Sequence, residues 1–112
     1  MNNVHQALDA LLDENKRAFA VEDYETAYHT LASAMHLAVA MISPDKLLQI
    51  SETASIQRDF IDTNSPEHKY ASEQARGRGN ESIFSSLSNQ AETASLIAKA
   101  RLDRNEISTI YA

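Results

Sequence analysis

The chain contains no cysteine. That excludes disulfides, thiolate metal sites and thiol nucleophiles, and it suits a reducing compartment. Glycine and proline are nearly absent too, two of each, placed at Pro44, Pro66 and the Gly77/Gly79 pair. So little punctuation predicts few turns and long elements. Long apolar runs are missing: the longest spans residues 37–42, far too short to cross a bilayer. The start, "MNNVHQALDALLDENKR", has no basic stretch leading into an apolar one and is not expected to be a signal peptide. Positive charge is scarce. Ten Lys and Arg against sixteen Asp and Glu leave a net charge of −6, which disfavours nucleic acid as a partner. Together these absences predict a cytoplasmic protein with neither membrane nor nucleic acid as its target.

No stretch shows sustained two-residue alternation of β-branched residues, so the expected class is all-α. The length, 112 residues, fits one helical domain over 1–112, and 43% hydrophobic residues can build a core. Four helices are predicted, a bundle-like domain led by an antiparallel hairpin. The first covers residues 4–21, with Val4, Leu8, Leu11, Leu12 and Phe19 on one stripe. Asn15 falls inside that stripe and needs a buried partner. The second covers 24–42 after the cap Asp23, with Ala27, Leu31, Ala34, Ala38 and Met41 on a narrow face flanked by Tyr24, Tyr28 and Met35. "SPDK" at 43–46 starts the third, with Ser43 as cap and Pro44 at the first helical position. It runs to about residue 62, with Leu47, Ile50, Ala54, Gln57 and Ile61 inward and Leu48 and Phe60 widening the stripe. Residues 64–80 read as an irregular linker with room for one helical turn at 71–76. The fourth helix follows the cap Asn80 to about residue 102, carrying Ile83, Phe84, Leu87, Ala91, Ala94, Ile97 and Ala98. A tail with Ile107, Ile110 and Tyr111 is left to dock on the bundle or on a second copy.

The stretch "EDYETAYHTLASA" resembles the turn and second helix of a tetratricopeptide repeat, through Asp23, Tyr24, Ala27, Leu31 and Ala34. The resemblance covers about residues 11–42. It departs at Leu11, Asn15 and Ala18, where the family has tryptophan, glycine and tyrosine, and the closing proline is displaced to Pro44. It implies a helical hairpin and a role in partner binding. It carries over no ligand-binding residues.

On a helical wheel Glu25, His29 and His36 lie about 160–200° from Ala27, as one stripe on the opposite face. Three readings stand: a solvated face, a metal site, and a phosphotransfer histidine. For metal, Glu25 and His29 are one turn apart, but His36 is about 10 Å further along the axis, too far for one ion. "HTLASA" from His29 resembles the phosphorylatable helix of histidine phosphotransfer domains. That resemblance implies an acidic helical signalling protein whose exposed imidazole is the nucleophile. Ala32 and Ser33 replace that family's lysine and glycine. A second candidate is "ARGRGNES", where Arg76 and Arg78 stand beside flexible glycines and a helix start and offer an anion site. His5 and His68 are assigned no role. No nucleophile–base pair or phosphate-binding loop occurs. The expectation is a non-catalytic protein-interaction or small regulatory module without cofactor or metal, its protein partner unknown. Alanine-rich helices and the apolar tail admit a homodimer through the last helix or the tail.

Overall fold

The computed structural model describes the backbone of residues 3–111 and the side chains of residues 3–105. Among them are five helices and no strand: α1 (Asn3–Ala20), α2 (Tyr24–Ala40), α3 (Pro44–Asn64), α4 (Ser72–Gly77) and α5 (Ile83–Tyr111). The all-α class is as expected, with one helix more. None of these helices is long and apolar enough to cross a membrane.

The hairpin turns are built without glycine. Glu22 takes φ 61° after α1 and Ile42 takes φ 51° after α2. In each turn two amides fold back on the helix end. Asp23 N–H reaches Ala18 O at 2.9 Å and Glu22 N–H reaches Phe19 O at 3.0 Å. Ser43 and Ile42 repeat this on Ala38 and Val39. The pattern satisfies the last carbonyls and reverses the chain within three residues. The next helix is then capped at once: the Asp23 carboxylate accepts from Thr26 N–H at 3.2 Å, and Ser43 Oγ accepts from Lys46 N–H at 3.4 Å.

α1 pairs with α2, α3 packs on α2 and α5, and α5 also touches α2. Leu8 and Leu12, then Leu31, Ala34, Met35 and Ala38, then Leu47, Ile50 and Ala54, then Leu87, Ala91 and Ala98 fill the shared core. Small residues on α2 let its neighbours approach closely. The buried Asn15 has its partner. Its Nδ2 donates to Ala27 O at 2.7 Å and to Gln57 Oε1 at 3.1 Å, and its Oδ1 accepts from Gln57 Nε2 at 2.8 Å.

Several expectations are corrected. Val4, Leu48, Phe60 and Ile97 lie exposed rather than inward, because no further helix covers that side of each stripe. In the segment after α3 the helical turn allowed at 71–76 is present as α4, and it is docked rather than loose: Asp62 in the last turn of α3 accepts from both the N–H and the hydroxyl of Ser72, at 2.8 and 2.7 Å. The cap of α5 is Ser82, not Asn80: its hydroxyl accepts from Phe84 N–H at 3.2 Å. α5 does not stop near residue 102 but continues to Tyr111, so the predicted tail is helix. The side chains of Ile107, Ile110 and Tyr111 lie outside the described residues.

Candidate functional site

The face of α2 opposite the core carries Glu25, His29 and His36, all exposed. Glu25 accepts from the Tyr70 hydroxyl at 3.4 Å, which ties α2 to the segment before α4. The Tyr70 phenol is held above its ordinary range, first by burial and then by the Glu25 carboxylate. His29 rests edge-on against the Tyr28 ring, with centroids 5.3 Å apart. The positions one turn either side of His29 are Glu25, Thr26, Ala32 and Ser33, none of them cationic. Among the described residues no three His, Asp or Glu side chains converge where a metal ion could sit.

Arg76 and Arg78 go separate ways. Arg76 lies in the last turn of α4 and lines a small cavity of about 170 Å³ together with Asp62 and Glu73. Two carboxylates beside its guanidinium lower the appeal of that cavity for an anion. Arg78 Nη2 donates to Lys69 O at 2.8 Å and so braces the linker on itself. Gly79, at φ 79°, makes the reversal after α4.

His68 does not stand alone. Its ring lies 5.0 Å from Tyr24 and 5.3 Å from Tyr70, and its Nδ1 accepts from Tyr70 N–H at 3.0 Å. It belongs to one continuous run of ring contacts: Phe60, Phe19, Tyr24, His68, Tyr70, Phe84, Tyr28, His29. The run includes every described phenylalanine and tyrosine. It stitches the linker to α1, α2, α3 and α5. The signal in the sequence was the concentration of aromatic residues near helix ends and in the linker.

The polar part of the α3–α5 contact could not be read from apolar periodicity, because serines make it. Ser51 Oγ donates to Ser88 O and Ser88 Oγ to Ser51 O, both at 2.9 Å, while Ser55 Oγ sits 2.9 Å from Ser88 Oγ. Further along, Ser95 Oγ donates to Pro44 O at 3.0 Å. These pairings run the two helices antiparallel and close together. The outer side of the seam is a groove of about 590 Å³ lined by Pro44, Leu48, Ser95, Leu96 and Leu102, with the charged Asp45, Glu92 and Lys99. Leu48 is 45% exposed, Ile56 69%, Leu96 67% and Leu102 42%.

No family model, no curated protein and no solved structure matches the chain.

Proposed function

We propose that the chain is a non-catalytic protein-interaction module and that the outward face of α3 and α5 is its working surface. The observation behind this reading is the apolar exposure on that face. Leu48, Leu96 and Leu102 border one groove, and Ile56 lines an adjoining one that shares Leu48, while the polar stripe of α2 offers isolated groups. Contiguous exposed apolar surface on a small protein marks a binding site more often than it marks nothing. A second copy of the chain is among the partners such a face accepts.

A photo-reactive residue at Leu96, compared with one at the exposed Val39 of α2, tests this in native extract. Protein adducts are expected at position 96 and few at 39. Equal yields at the two positions would remove the assignment.

A second reading rests on the exposure of His29 in the middle of α2. It makes the chain a phosphotransfer protein with Nε2 or Nδ1 of His29 as the phosphoryl acceptor. Incubation with phosphorylated receiver domains would then label the wild type but not His29→Gln. An unlabelled wild type ends this reading. Glu25, one turn away, opposes the charge of a phosphoryl group there, which is why the interaction reading stands first.

A further inference from the structure

α5 is built for more than the fold of one chain. Its Ser95 bonds to Pro44, the first residue of α3, so residues 96–111 run past the start of that helix. Beyond Ala98 every described side chain, 99–105, is exposed. A stretch of that length has little helical stability of its own, since most helix stability in proteins comes from packing of one face. Its outward face nevertheless carries a pattern: Glu92, Ser95, Leu96, Lys99 and Leu102 recur at three- and four-residue steps along one groove.

We infer that the occupant of this groove is α5 of a second copy, lying antiparallel about a two-fold axis between Ser95 and Leu96. The inference rests on the reading of the α3–α5 face as an interaction surface and says what fills it.

Charge decides the register. In an antiparallel pair, facing positions have a constant sum of residue numbers. With the axis between 95 and 96, Glu92 of each copy faces Lys99 of the other, twice by symmetry. Leu96 faces the small Ser95, so a large side chain meets a small one at the centre. Sliding one copy by a heptad in one direction sets Glu92 against Glu92. Sliding it the other way sets Lys99 against Lys99. Both alternatives desolvate like charges. α5 of the second copy lies parallel to α3 and covers Leu48 as it does so. The same patch serves both partners, as a two-fold contact requires.

The test is charge exchange read by light scattering after size exclusion, with circular dichroism as the folding control. Wild type is expected at twice the 12.4 kDa chain mass. Glu92→Lys and Lys99→Glu each place like charges across the axis and should weaken association roughly tenfold or more. Mixing the two variants restores both unlike pairs, so the mixture is expected to dimerise where neither does alone. The double variant, Glu92→Lys with Lys99→Glu, should dimerise like wild type. Two outcomes overturn the inference: a wild type that stays monomeric up to its solubility limit, or a dimer indifferent to both single changes. Either one leaves the interaction reading standing if position 96 still cross-links to protein. The interaction reading falls separately, when position 96 cross-links no better than 39.

Discussion

Asn15 and Gln57 are the most demanding residues of the core. A buried amide offers a carbonyl and two N–H groups, and each must find a partner or forfeit the hydrogen bonds it made with water. Here the two amides answer one another across α1 and α3, and the second N–H of Asn15 goes to the Ala27 carbonyl of α2. Three helices are thereby held in one register by two side chains. Asn15→Leu leaves Gln57 and the Ala27 carbonyl without those partners and is expected to cost about 2–3 kcal/mol in urea unfolding. Replacing both residues, Asn15→Leu with Gln57→Met, should cost less than that single change, because no orphaned amide remains. Simple additivity would show that the pair is uncoupled. The sequence disclosed Asn15 as a polar residue on an apolar stripe, and it placed Gln57 inward. That the two meet could not be read from either helix alone, since it depends on how α1 and α3 cross.

At the scale of the element, the helix ends carry the information. Asp23, Ser43 and Pro44 are legible start signals, and α2 and α3 begin where those signals place them. The stop signals were less legible, because Glu22 and Ile42 hold the left-handed conformation that glycine usually supplies. Glu22 is exposed, so Glu22→Gly should relieve backbone strain without loss of packing and stabilise the protein by about 0.5–1 kcal/mol in thermal unfolding. A loss of stability would mean that the Glu22 side chain matters more than its backbone. Ile42 packs against the edge of the core, so the same change there gives up burial and gains nothing comparable. The Asp23 carboxyl is held below the ordinary aspartate value by the Thr26 hydroxyl first and its N–H second. A carboxyl lowered in the folded state adds stability above the unfolded aspartate pKa. That contribution is lost as pH falls through the lower folded value, so α2 loosens in acid. The length of α5 was not legible. Its second half contains no breaker, and nothing in its composition marks where intramolecular packing ends.

The molecule as a whole is long and thin, 57 × 32 × 17 Å between its outer Cα positions. Two packed helices, with axes about 8–10 Å apart and a Cα radius of about 2.3 Å, span about 13–15 Å between outer Cα positions, so the shortest dimension holds two layers and no third. This explains which parts of the fold were legible. The stripes of α1 and α2 pack on each other and on the core they share with α3, and apart from the exposed Val4 at the start of α1 their periodicity reads correctly. The stripes of α3 and α5 were read as wider than the covered surface, and Leu48, Phe60 and Ile97 were assigned to a layer that one chain does not possess. The aromatic run does the opposite. It draws the polar linker into contact with four helices, through residues that periodicity could not connect because they sit in no common element. Arg78 and His68 serve that docking, which leaves the α3–α5 face as the broad apolar surface facing outward.

Carrying the photo-reactive residue step by step along α5 tests that face most directly. Adducts should rise and fall with helical period, high at Glu92, Leu96, Lys99 and Leu102 and low at Gln90, Thr93, Ile97 and Arg101, and most should be to the chain itself. Adducts spread evenly around the helix, or absent from α5 and gathered on α1, would contradict the assignment of α5 as the surface through which this protein meets its partner.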